Sequence, residues 1–280
     1  MKKLLTAAVV ALSFAGTVSA DPIFIDNGVD FGSNSSTQTS WFDSLQFTYA
    51  SESLLTDVNG DNVISVGDTI ASNSGMALGT TAGNVLATHS TALLGLGFGD
   101  ANGFWSGGAP TAGQWGITFG FTDIEGVLTN AGFQYSAGTI NLYAFDAFAV
   151  ATASLAGANT DVSGSLTHLF DLNITIGGDT GNSTVFSGDI IDFFGPDTFN
   201  IAYGNGSETF SDASLLPGGL QFLVSNDTQG LVGNSFGGET TLLVEGQHEG
   251  SVTFNVPEPA SIAILGLGLL GFAGARRRKS

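Results

Sequence analysis

Leu166-Thr167-His168-Leu169-Phe170-Asp171-Leu172-Asn173-Ile174-Thr175-Ile176 is the stretch that decides the fold. Leu166, His168, Phe170, Leu172, Ile174 and Ile176 alternate with Thr167, Leu169, Asp171, Asn173 and Thr175. Only an extended strand puts every second side chain on one face, so the stretch predicts a β-strand with an apolar side. Working outward, the same alternation returns in Trp115, Ile117, Phe119 and Phe121, in Leu45, Phe47 and Tyr49, in Leu220, Phe222 and Val224, and in Val252, Phe254 and Val256. Thr139 to Val150 reads as a longer strand. Turn signals separate these runs at Asn59-Gly60, Asn102-Gly103, Gly177-Gly178, Asn205-Gly206 and Gly237-Gly238. No stretch between the two ends carries a long 3.6-residue apolar period with caps.

The composition agrees with that reading. With 41 Gly and 22 Phe the chain suits tight turns and aromatic-filled sheets. It is too aromatic and too well patterned for a disordered segment. The expectation is an all-β body over residues 21–255, a sandwich or jelly-roll-like fold of many short strands. The 280-residue chain has no cysteine, which removes disulfides, thiol chemistry and thiolate metal sites together. A body of this length buries enough apolar area without covalent staples.

The two ends carry different information. Lys2 and Lys3 precede an apolar run from Leu4 to Ala15, and Val18-Ser19-Ala20 places small residues before a cleavage point between Ala20 and Asp21. This is the layout of a signal peptide over residues 1–20; the alternative is a buried N-terminal helix. At the other end Val256-Pro257-Glu258-Pro259 is followed by an apolar run from Ala260 to Ala275 and then Arg276-Arg277-Arg278-Lys279. The prolines separate that run from the body. It is shorter than the ~20 residues of a comfortable transmembrane helix, but a thin bilayer accepts it, with the basic cluster staying cytoplasmic. Pro257-Glu258-Pro259, a short apolar helix and an Arg-rich end with Arg276, Arg277 and Arg278 resemble the PEP-CTERM sorting signal, here over residues 256–280. The resemblance implies an exosortase-type partner that cuts near the motif, transient membrane contact through the C-terminal helix, and delivery to the exterior of a Gram-negative bacterium that makes exopolysaccharide.

Charge is distributed just as unevenly. All six basic residues lie in the two ends, while the 25 acidic residues fall between Leu4 and Ala275, and all but Glu258 belong to residues 21–255. Nucleic-acid binding needs Lys and Arg against phosphate and is excluded for such a body. Its acids need positive charge from elsewhere, and divalent cations are the obvious source.

One internal motif addresses that need. Asp57-Val58-Asn59-Gly60-Asp61-Asn62-Val63-Ile64-Ser65-Val66-Gly67-Asp68 puts oxygen side chains at loop positions 1, 3, 5, 9 and 12. The spacing resembles an EF-hand or dockerin calcium loop, which implies Asp57, Asn59, Asp61, the Val63 carbonyl, Ser65 and Asp68 as ligands of Ca2+. Hard oxygen donors without His or Cys favour calcium over zinc. Asn62 stands where such loops carry Gly, and Asp68 where they commonly carry Glu. The plainer alternative is a polar Asn-Gly turn between two strands.

Other candidates are weaker. Asp123 and Glu125 fall on one strand face, and Asp189, Asp192 and Asp197 fall close together, but solvated acids are the simpler reading on so acidic a chain. His89, His168 and His248 show no metal-ligand spacing, and His168, on an apolar strand face, reads as a buried histidine. Gly266-Leu267-Gly268-Leu269-Leu270-Gly271 lies inside the apolar C-terminal run and not after a strand, so it is no dinucleotide fingerprint. Trp41, Trp105 and Trp115 are available to stack on sugars or to fill the core.

The reading is a non-enzymatic exported protein of the cell surface or extracellular matrix that promotes aggregation with exopolysaccharide, helped by calcium. Asp21-Pro22-Ile23-Phe24-Ile25-Asp26, Trp41-Phe42-Asp43, the calcium-like loop and the terminal signal are together similar to flocculation-associated PEP-CTERM proteins, which implies a role in floc or biofilm formation. Two alternatives stay open: a carbohydrate-binding module with exposed coplanar aromatics, or a carbohydrate-active hydrolase with a convergent carboxylate pair.

Overall fold

The computed structural model describes residues 20–30, 35–94, 102–105, 107–179, 183–195, 197–216, 218–227 and 235–257. These form an all-β body. The main sheet comprises β2 (Ser44–Thr56), β3 (Thr69–Gly75), β4 (Ser90–Leu94), β5 (Trp115–Thr129), β6 (Gly132–Asp146), β7 (Leu166–Asp179), β8 (Ser183–Phe193), β11 (Gln221–Asp227) and β12 (Thr241–Asn255). β1 (Ile23–Ile25), β9 (Phe199–Tyr203) and β10 (Gly206–Thr209) form a second, three-stranded sheet.

All pairings in the main sheet are antiparallel, in the order β12-β11-β8-β7-β6-β5-β3-β2-β4. β12 also pairs with β2, from Thr241↔Thr56 to Val252↔Leu45. The expected facing layers are therefore joined along both edges, and eight strands close into a barrel, with β4 extending beside the start of β2. Closure removes the long free edges that an open sheet would present.

The barrel has two unlike poles. At the first, β12 ends and β2 begins, and the three-stranded sheet folds over it. Ile23, Ile25, Phe199 and Ile201 from that sheet join Phe170, Phe222 and Phe254 from the barrel in one buried cluster. Phe210, on the short helix α3 (Phe210–Ser214), lies at its centre, with its ring 4.9 Å from Phe254 and 5.2 Å from Phe199. Towards the second pole the inward-facing positions become small before large side chains return in a buried cluster of Leu55, Ile70, Phe133 and Phe236. Along β2 they run Leu45, Phe47, Tyr49 and then Ser51 and Ser53, opposite Ser72 of β3 and Gly246 of β12. Missing side-chain volume there leaves a cavity of about 560 Å³.

Three expectations change at this level. Alternation in β7 is broken by an extra residue at Leu169, between the pairs Tyr143↔His168 and Leu142↔Phe170, and by another at Thr175, between Ile174 and Ile176. Phe170, Leu172 and Ile174 face inward, but Ile176 is 64% exposed and His168 faces outward, because each extra residue puts the side chains on its two sides on opposite faces. Gly177-Gly178 is not a turn: both residues lie inside β7, paired with Tyr135 and Gln134. A Cβ at Gly177 would meet the Phe186 ring at 2.6 Å, so glycine is needed for close packing and not for a bend. The predicted strand to Val150 stops at Asp146, and Ala147–Ala156 is the helix α2. Asp146 caps it by accepting the Ala149 N–H at 2.9 Å, and an Ala-rich segment with Gly157 behind it is a good helix without an apolar stripe.

The helix α1 (Ala82–Ala87) and α2 build a satellite core with Met76, Val85, Trp105, Phe145, Val150 and Val162. His89 stacks on Trp105 there, with ring centroids 4.7 Å apart. Its Nδ1 lies 2.6 Å from the Leu86 carbonyl, and its buried Nε2 has no partner among the described residues. Burial therefore holds the imidazole below its ordinary pKa, against the opposing pull of the Leu86 carbonyl. The unfolded chain takes up this proton first as pH falls below about 6.5. Stability from this group is thus complete above that pH and is lost between it and the lowered folded value. His89→Phe should flatten that part of the denaturation midpoint-versus-pH curve, and an unchanged slope would remove His89 as its source.

Candidate functional site

The loop between β2 and β3 is built from its own carboxylates. Asp57 accepts the N–H groups of Gly60 at 2.6 Å and Asn62 at 2.8 Å. Asp61 accepts the Val63 N–H at 2.8 Å and the Ser65 hydroxyl at 3.0 Å. Those donors hold its carboxyl below the usual carboxylate range, the Val63 N–H above all. Asn59 accepts from the Asp61 N–H and donates its amide to Ser65 Oγ, each at 2.9 Å. Asn59, Asp61 and Ser65 therefore form one connected group on a mostly exposed rim, and Asp57 folds the backbone beside it through Gly60 and Asn62.

Asp68 is placed differently. It is fully buried beneath the loop, where its carboxylate accepts the Val58 N–H at 3.1 Å and the Ser65 N–H at 2.7 Å. It ties the two arms of the loop together. Among the described residues no group of three or more His, Asp or Glu side chains is arranged to hold a metal ion. The donor set is nonetheless all oxygen, which matches a hard cation in chemistry.

Asn62 answers the question its presence raised. It adopts φ 60°, the left-handed conformation that a sixth loop position requires and that Asn tolerates. Its side-chain Oδ1 accepts the Gly238 N–H at 2.6 Å, while its carbonyl accepts the Ser235 hydroxyl at 3.0 Å. Asn62 therefore docks the loop onto the segment leading into β12, which a glycine side chain could not do.

The predicted cleavage point and Pro257, the first residue of the Pro-Glu-Pro motif, meet at the opposite pole. Asp21 donates its N–H to the Phe254 carbonyl at 2.9 Å, and its carboxylate accepts the Val256 N–H at 2.9 Å. Pro257 follows directly, beside Gly218. Ala20, Asp21 and Pro257 are thus neighbours in space as well as boundaries in sequence. Glu258, Pro259, the apolar run and Arg276 to Arg278 lie outside the described residues, as does the signal segment before Ala20. Among the described residues no helix is long and apolar enough to cross a membrane.

The remaining candidates scatter. Asp123 and Glu125 are exposed and straddle a bulge in β5, with Asp123 at φ 50°. Asp189, Asp192 and Asp197 are all exposed, and Asp197 accepts a hydrogen bond from Ser211. His168 is not buried: its side chain is 28% exposed and its Nε2 lies 2.7 Å from Asp171, between the rings of Tyr143 and Phe194. The β7 bulge that flipped it outward is the reason. Trp105 and Trp115 pack inward and donate to the carbonyls of Gly108 and Asn102. Trp41 is the exposed indole, its ring edge-on to Phe24.

Residues 255–279 match the PEP-CTERM protein-sorting motif. That motif implies a protein processed by an exosortase-type enzyme and exported across the inner membrane to the cell surface of a Gram-negative bacterium. Neither the curated proteins nor the solved structures give a match to this chain.

Proposed function

We propose that the chain is a non-enzymatic surface or matrix protein that promotes cell aggregation with exopolysaccharide, as in floc or biofilm formation, and that calcium bound at Asp57–Asp68 assists it. The observation that carries the reading is the sorting motif at residues 255–279 attached to a body without Lys or Arg. Such bodies repel one another over the Debye length, about 8 Å at physiological salt. Close association then needs a cation between acidic surfaces or a neutral glycan. Asp57, Asn59, Asp61, the Val63 carbonyl and Ser65 would hold the cation, with Asp68 closing the loop from beneath. Trp41 alone among the three indoles is well placed for a sugar, which supports adhesion over a platform of coplanar aromatics.

The test is genetic. Chelating calcium should disperse cell aggregates, and returned calcium should restore them only in cells that make this protein. Cells carrying Asp57→Ala with Asp61→Ala should re-aggregate no better than the deletion strain. Full recovery in the deletion strain would show that the chain is not the adhesive, and full recovery in the double variant would reduce the loop to a turn.

A further inference from the structure

The cavity at the second pole has the features of a binding site. Ile70, Ile124, Leu128, Phe133 and Phe186 supply apolar wall, as do Leu242 and Val244 of β12. Its size falls in the range of small-molecule sites. Most polar groups in it are already paired: Ser53 with Ser72 at 2.7 Å, and Ser51 with His248 Nε2 at 2.9 Å. Two are not. Tyr49 and Asn226 both line the cavity and are only 7% and 5% exposed. Neither the Tyr49 hydroxyl nor the Asn226 amide makes a hydrogen bond among the described residues. Both groups open into the cavity with their hydrogen-bonding capacity unspent on the protein, so they are available to a molecule that enters it.

The surroundings hold both groups in place. Tyr49 is stacked against His248 at 4.9 Å and set edge-on against Phe119 at 5.2 Å. Burial pushes its phenol well above the ordinary range, with the nearby Asp227 charge adding to that, so it stays a neutral donor and acceptor. Asn226 sits opposite Gly250 of β12, and a Cβ at residue 250 would collide with its amide oxygen. Glycine at that point makes room for the amide on the inner face.

Charge narrows the ligand further. No Lys or Arg exists between Leu4 and Ala275 to pair with a carboxylate or phosphate. A buried anion without a partner is strongly disfavoured. We propose that this cavity binds an uncharged amphipathic molecule, an apolar chain or ring bearing a hydroxyl, with Tyr49 and Asn226 as its hydrogen-bonding partners. Aromatic and aliphatic walls take the apolar part, and both polar groups can donate and accept as a hydroxyl requires.

The experiment uses the exported protein and the neutral fluorescent probe N-phenylnaphthylamine, competed by decanol or by decanoate at neutral pH. Probe binding should saturate, and decanol should displace it about tenfold more effectively than decanoate, the discrimination of one uncompensated charge at the least. Ser53→Leu, which fills the cavity, should weaken probe binding by about tenfold or more with an unchanged circular dichroism spectrum. Tyr49→Phe should leave the probe affinity nearly unchanged and weaken displacement by decanol about tenfold. Probe affinity unaltered by Ser53→Leu would place binding elsewhere on the chain and overturn the proposal, as would equal displacement by the alcohol and the acid. Should Ser53→Leu fail to fold, Tyr49→Phe decides: loss of decanol displacement supports the site, and unaltered displacement sinks it.

Discussion

Extracellular protein should begin at Asp21 and lack Arg276 to Ser280, and replacing Pro257-Glu258-Pro259 by Ala-Ala-Ala should reduce it almost to nothing, with the chain held at the inner membrane. The structure explains why the body itself should survive both cuts. Asp21 is already fastened to β12 through Phe254 and Val256, so removing what precedes it leaves those bonds in place. Pro257 lies just beyond the last strand residue, Asn255, so cleavage after it breaks no ladder. Mass spectrometry of protein released from the surface and a membrane fractionation of the triple variant together test this. An intact Arg-rich tail on extracellular protein would defeat the exosortase-type reading, and normal export of the triple variant would separate export from the motif.

Phe254→Ala should destabilise the body by about 3–5 kcal/mol, the range for deleting a fully buried phenylalanine. Phe254 has no exposed surface and packs edge-on against Phe210 at 4.9 Å and against Phe170 at 6.3 Å. Its removal leaves a void where the barrel and the three-stranded sheet meet. Typical domains are stable by only ~5–15 kcal/mol, so the variant should be close to unfolding at growth temperature. Phe148→Ala is the control. Phe148 is 46% exposed on α2 and should cost no more than about 0.5 kcal/mol. Urea midpoints for the pair test this directly, and a loss below about 1 kcal/mol at Phe254 would mean that the pole is not packed as described.

The core strands were legible because their inward positions are large: Leu45, Phe47 and Tyr49, or Ile117, Phe119 and Phe121, leave little choice of face. The second pole was harder to read for the reason that gives it a cavity. Ser51, Ser53, Ser72, Gly246 and Gly250 face inward but do not register as apolar, so alternation marks β12 only from Val252 onward although the strand begins at Thr241. Leu242, Val244 and His248 set against Glu245, Gln247 and Glu249 were the available signal. Bulges are not visible in alternation, and those at Leu169 and Thr175 of β7 put His168 and Ile176 on the outside. Barrel closure joins Leu45–Thr56 to Thr241–Val252, partners too far apart in sequence for any local pattern to pair them. The 57–68 loop was legible as a loop, but the docking role of Asn62 and the burial of Asp68 depend on neighbours that spacing does not reveal.

The position of the chain's exit has a mechanical meaning. β12 runs 15 residues, about 50 Å, from the pole carrying the acidic loop to the pole where Pro257 leaves. β2 runs the other way beside it and ends at Thr56, directly before that loop. A body held at Pro257 and gripped at residues 57–68 would thus be pulled along two antiparallel neighbours in opposite directions. Their ladder bonds lie across the line of force, so a tensile load shears all twelve paired positions together and does not unzip them in turn. Pulled instead between Asp21 and Pro257, which sit side by side, the chain would be loaded first through the two bonds that fasten Asp21 to Phe254 and Val256. A load between the acidic loop and Pro257 therefore meets the molecule in its strong direction.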